Sequence, residues 1–137
     1  MICLPEAQEC LDYPCDTGSS KGQLEQDQEF ALLNLARLTP DWNKKQGFYA
    51  PDPESVAQRT KWVRHFLRDR PEKNIVLVGH GDFLRNLTAD VNGPSTYMWA
   101  QAEIQLHKFD EATVDRDECF LKLEQKVDTT SKAKVKT

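Results

Sequence analysis

The group best placed to do chemistry in this chain is His80, in the run Val76-Leu77-Val78-Gly79-His80-Gly81-Asp82-Phe83-Leu84. An apolar stretch ends, two glycines flank a histidine, and a helical pattern begins at once. In open α/β sheets ligands bind outside the carboxyl ends of strands, and such a junction lies there. Glycine lets the backbone approach a ligand closely, which singles out Gly81. The N–H groups of a helix start favour an anion such as phosphate, which adds Asp82 on that first turn to the candidate site. A histidine is the side chain best suited to acid–base work near neutral pH, which adds to the case for His80. The bland alternative is a histidine that only closes the strand by hydrogen bonding. The run is not a G-x-S-x-G nucleophile elbow, because Gly81 stands where serine is required and Phe83 replaces the last glycine.

The elements that must position His80 are legible around it. Asp52-Pro53-Glu54 has the form of a helix start: a capping carboxylate, a proline suited to the first turn, and an acid that complements the dipole. Val56, Val63, Phe66 and Leu67, with Arg59 or Thr60 between them, mark one face of that helix. Ile75 to Val78 is a continuous apolar run, which predicts a central strand buried on both faces. Residues 101–109 alternate, predicting a half-buried strand, and 119–124 are expected to pair with it as a hairpin. Residues 2–5 suit a short strand and 23–38 a helix closed by Pro40. Residues 10–22 and 40–53 read as loops, the second anchored by Trp42, Phe48 and Tyr49, and Asp16-Thr17-Gly18 as a turn. The polar, basic stretch 127–137 is expected to be disordered, leaving one domain over 1–126.

Several motifs, taken in order, resemble the histidine phosphatase (phosphoglycerate-mutase-like) superfamily. The strand–Gly-His-Gly–helix unit is similar to its second histidine motif, and Glu54-Ser55-Val56-Ala57-x-Arg59 to its Glu-Ser-x-x-x-Arg helix start. Ala100-Gln101-Ala102-Glu103 is similar to the following Asn-Ala-Glu stretch. Leu4 to Gly18, with Pro14-Cys15-Asp16-Thr17-Gly18, resembles a segment of a fungal branch. The resemblance implies an α/β fold of three layers, with helices on a mainly parallel sheet and a C-terminal hairpin. It also implies phosphomonoester hydrolysis or transfer through a phosphohistidine. In the family a carboxylate of the first segment donates a proton to the leaving group. Glu9 is its best match, and Glu6 fits the bare Leu-x-Glu pattern, as an alternative acid or a substrate-binding group. Arg59 is expected to serve the fold by packing or pairing along its helix. No metal or cofactor is implied.

The family's Arg-His-Gly motif, whose histidine takes the phosphoryl group, does not occur in these 137 residues. His65 falls inside the helix and His107 on the late strand. By the resemblance the chain is expected to start about halfway along a family member, leaving the Ile75–Val78 strand with an unpaired edge. Such an edge suits a homo-oligomer. Two other functions stay open: a non-catalytic remnant binding a phosphorylated ligand or a protein, and a pocket using His80 for acid–base chemistry on a non-phosphorylated substrate.

Composition bounds the partners. With 39% hydrophobic residues, 29% charged and a net charge of −4, nothing invites nucleic acid or an acidic membrane surface. No apolar run approaches the ~20 residues of a spanning helix. The first residues do not have the form of a secretory signal, and Cys3, Cys10, Cys15 and Cys119 match neither a zinc site nor a compact disulfide framework. Reduced thiols, a cytoplasmic location and a small phosphorylated metabolite or other small molecule as ligand are the expectations.

Overall fold

The structure, a computed structural model, describes residues 1–127. It is mixed α/β: helices α1 (Lys21–Gln26), α2 (Pro53–Arg68) and α3 (Gly81–Leu87), then strands β1 (Ile104–Phe109) and β2 (Leu121–Val127), with short 3-10 turns in the first 50 residues. Helix α2 starts where its signals put it. Asp52 caps it by accepting the Ser55 N–H at 3.0 Å, and Pro53 occupies the first turn. Its buried face carries Val56, Arg59, Thr60, Val63 and Arg64; Leu67 packs partly buried against the core as expected, Arg64 is an addition, and Phe66 lies outside this cluster. Phe66 instead stacks on Trp62 (ring centroids 5.4 Å apart), and the Arg37 guanidinium lies over both rings.

The core is small. Ala7, Cys10, Val56, Val63, Phe83 and Leu87 are buried together where α3 and the first segment meet α2. The opposite end of α2 grips the stretch before β2 through main-chain carbonyls. Arg64 donates to Glu118 O (3.0 Å) and Leu87 O (3.2 Å), and Arg68 to Val114 O (3.0 Å).

The mainly parallel, three-layer sheet is not found among the described residues. Their single sheet is the antiparallel pair β1–β2. Ile75 to Val78 belongs to no helix or strand, and residues 74–79 make no backbone hydrogen bond among the described residues. Val76 is 90% and Val78 79% exposed, while Leu77 alone packs on the core. The apolar run expresses a preference for sheet. A parallel ladder, however, needs neighbouring strands, and the described residues hold none beside it. The expected strand at 2–5 reduces to a parallel bridge between Ile2 and Asn34, followed by a 3-10 turn at Pro5–Ala7.

The helix expected over 23–38 is also shorter. Ser20 and Gln23 form a capping box that opens α1, and Asp27 ends it by accepting the Glu29 N–H at 2.9 Å, which starts a separate turn. A short carboxylate bonding a nearby N–H competes with helix continuation. Phe48 is exposed, so of the three aromatic anchors only Trp42 and Tyr49 are half-buried.

The C-terminal hairpin forms, with Ile104 opposite Val127, Phe109 opposite Leu121, and a register shift between Leu106 and His107. Its orientation departs from the pattern. Ile104 and Leu106 lie on the exposed side, whereas Gln105, His107 and Phe109 are half-buried. The polar side is tied down by the preceding loop. His107 stacks on Trp99, and Glu103 accepts from Gln105 Nε2 (2.8 Å), the Ala100 N–H (2.8 Å) and Tyr97 Oη (2.7 Å). The tail expected from residue 127 onward lies outside the described residues except for Val127, which ends β2.

These bonds, Gln105's first among them, hold the Glu103 carboxyl down at about 2. A carboxyl whose folded pKa is depressed contributes stability above its unfolded value, and loses that contribution as pH falls through the folded one. The packing of Trp99 against His107 is therefore expected to loosen as pH drops from about 4.5 toward 2. The aromatic proton shifts of Trp99 should report it, and in Glu103→Gln they should be flat over that window.

Candidate active site

Helix α3 begins immediately after His80. His80 is extended (φ −108°, ψ 157°) and exposed, and its ring makes no hydrogen bond among the described residues. Gly81 is the first residue of α3, and a Cβ there would meet nothing within 4 Å. Gly79 is different, since a Cβ would come within 3.3 Å of Leu84 Cδ2. The first glycine thus serves packing and the second leaves open space beside His80. Asp82 pairs with Arg85 at 3.1 Å, along its own helix.

Glu9 reaches this helix start from far away in sequence. Its Oε1 accepts the Phe83 N–H at 3.2 Å and the Cys10 N–H at 2.7 Å. The Phe83 N–H lies in the first turn, where no intrahelical acceptor exists, so Glu9 completes α3. The seven-residue helix is therefore already served by a carboxylate at one of the positions that sequence reading assigns to a bound anion. Glu9 Oε2 accepts no hydrogen bond among the described residues. Glu6 sits on the same segment in a different role: its carbonyl accepts from Arg59, and its Oε2 is buried without a partner.

The surroundings of Glu9 are cationic and buried. Arg59, with no exposed surface, donates from Nη1 to Gln8 O (2.7 Å) and Glu6 O (3.1 Å), and its guanidinium lies 5.4 Å from the centre of the Phe83 ring. Burial pushes the Arg59 pKa down, with Cys10, Glu9 and Tyr49 opposing. Lys45 Nζ donates to Glu9 O at 2.6 Å, and burial next to Arg59 lowers its pKa as well. Cys10, beneath Glu9, is pushed up to about 11 by burial, which makes it an inert thiol at neutral pH. All four cysteines are free.

Two loops close over this segment. Gln8 Nε2 donates to Trp42 O (2.8 Å), Asn43 Nδ2 to Gly18 O (2.8 Å), and the Trp42 ring packs on Gly18. Sequence reading gave Lys45 no role and kept Arg59 to its own helix. The signals for Arg59 were the Glu-Ser-x-x-x-Arg pattern that it closes and its place on the apolar face of α2, where a buried cation must find partners across the core.

The other histidines are occupied elsewhere. His65 Nε2 lies 2.8 Å from Asp117 O, and His107 is in the hairpin. Among the described residues no three His, Cys, Asp or Glu side chains converge to hold a metal ion, and no helix is long and apolar enough to cross a membrane.

The chain is 29% identical over 82 residues to a probable phosphatase of Schizosaccharomyces pombe, a match covering 60% of this chain and 38% of that relative. It thus spans well under two thirds of the relative's length. No family model and no solved structure matches it. A distant phosphatase-like relationship is what these comparisons support.

Proposed function

We propose that this is a histidine-phosphatase-like protein whose ancestral activity is phosphomonoester hydrolysis or transfer, with a site built on His80 and Glu9. The observation that carries the reading is the Glu9 carboxylate bonded to the first turn of α3, the helix that His80 opens. In this reading the exposed His80 ring contacts the phosphoryl group. As a nucleophile takes the phosphoryl group, Glu9 in its protonated form hands the Oε2 proton to the departing alkoxide oxygen and is left as the carboxylate that the Cys10 and Phe83 N–H groups hold. Gly81, Asp82 and Glu6 border the substrate. The covalent step needs a second histidine with a following glycine, which these residues do not supply, so the chain by itself binds phosphate better than it turns it over.

The same reading takes Ile75–Val78 as a strand of a mainly parallel sheet whose neighbours come from further polypeptide or a second copy. The exposed Val76 and Val78 and the unpaired backbone favour it.

Thermal unfolding with and without vanadate, in the parent and His80→Ala, tests the site. A ligand that binds only the folded state adds about 2.7 kcal/mol at a hundredfold excess over its Kd. The expected result is a raised midpoint in the parent and none in the variant. An equal rise in both, or none in either, would remove His80 from phosphate binding. Activity on a non-phosphorylated substrate lost in His80→Ala would favour the reassigned-pocket alternative.

A further inference from the structure

Three carbonyls on the Glu9 segment are held by buried or half-buried cations. Arg59 Nη1 takes those of Glu6 and Gln8, and Lys45 Nζ takes that of Glu9. Glu6 lies within the 3-10 turn Pro5–Ala7 and Gln8 and Glu9 follow it, and the acceptors inside the turn are the Leu4 and Pro5 carbonyls, which leaves these three for other donors. Among the described residues Arg59 bonds no carboxylate; its bonded partners are main-chain oxygens, and its flat side lies against Phe83. The residue whose N–H receives Glu9 is the same Phe83.

We infer that Arg59, assisted by Lys45, is a positioning residue that sets the Glu9 carboxylate against the start of α3. It does so by fixing the main chain on one side of Glu9 and the Phe83 ring on the other. The inference rests on the proposed role of Glu9. Arg59 Nη1 holds both carbonyls while the flat side of the same planar group lies on the Phe83 ring, and an ammonium supplies donors but no such face, so lysine does not replace it. Among the described residues Arg59 Nε and Nη2 are buried without a partner, so the hydrogen bonds that offset the cost of this buried cation are the two from Nη1, both made to the Glu9 segment. Arg59 thereby couples α2, the first segment and α3 at one point.

Amide hydrogen exchange at Phe83 reads this directly, because Glu9 is the acceptor of that N–H and no intrahelical carbonyl can replace it. The variants are Arg59→Met, Glu9→Ala and the double change, with the Val63 amide in the middle of α2 as reference. Arg59→Met is expected to speed Phe83 exchange roughly five- to tenfold relative to Val63, the factor one net hydrogen bond supports. Glu9→Ala should do the same, and the double variant should add nothing further. Equal acceleration at Phe83 and Val63, or an additive double variant, would reduce Arg59 to general support and overturn the inference. Recovery by Arg59→Lys would overturn the role given to the planar face against Phe83.

If Arg59→Met does not fold, Lys45→Met, at a half-buried loop position, is read at the same amide, with faster Phe83 exchange expected and no change counting against the clamp. Vanadate binding is followed in the same samples. A parent indifferent to vanadate whose Phe83 amide still answers to Arg59 sinks the phosphate reading alone. A parent that binds vanadate while Phe83 ignores both cations sinks the positioning role alone.

Discussion

Phe83→Ala is expected to remove about 3–5 kcal/mol of stability, the usual cost of emptying a buried aromatic site. Phe83 has no exposed surface and stands at the centre of the cluster joining α3 to α2. It also carries the flat face of the Arg59 guanidinium. Whole domains are stable by about 5–15 kcal/mol, so in a chain with this small a core the loss takes a large share of the total. Urea unfolding followed by far-ultraviolet circular dichroism should show either a strongly lowered midpoint or no cooperative transition. A change under about 1 kcal/mol would mean that α3 is not docked on α2, and the placement of His80 and Glu9 would go with it. Phe83→Leu, which fills most of the volume, should recover much of the loss.

Gly18→Ala is expected to cost about 1–3 kcal/mol, within the range for forcing extra volume into a packed contact. A methyl group there would lie 2.3 Å from Trp42 Cη2 and 2.7 Å from Cζ2, closer than such atoms approach. Trp42 cannot yield cheaply. Its carbonyl holds Gln8, one residue before Glu9, and Asn43 holds the Gly18 carbonyl. The substitution therefore separates the two loops that cover the Glu9 segment. Denaturant unfolding gives the energy, and Trp42 fluorescence in a background with Trp62 and Trp99 replaced by Phe gives the displacement. An unchanged midpoint would show that the loops do not lean on each other. The turn Asp16-Thr17-Gly18 would then owe its glycine to nothing in the packing.

Local chemistry was legible in the sequence where one short stretch decides it. Asp52, Pro53 and Glu54 specify the start of α2 because a cap, a fixed φ and a dipole partner act within a single turn. The alternation after residue 101 specifies a strand for a similar reason. His80 at the mouth of a helix could be read from its two glycines alone, and α3 starts right behind it.

Tertiary structure decided what depends on distant partners. Ile75–Val78 has the composition of a buried strand, yet stays unpaired and largely exposed, because pairing requires neighbours that the described residues do not supply. Which side of β1 is covered was set by Trp99 stacking on His107, against the hydrophobicity of Ile104 and Leu106. The largest decision concerns Glu9. As one of two glutamates near the start it is indistinguishable from surface charge. Its meeting with the Phe83 N–H, and the grip of Arg59 and Lys45 on its main chain, join residues far apart in sequence. Propensity and spacing act over a few residues, whereas a buried cation chooses its acceptors from whatever the folded chain brings within about 3 Å. That choice is made only once α2, α3 and the first segment have packed together.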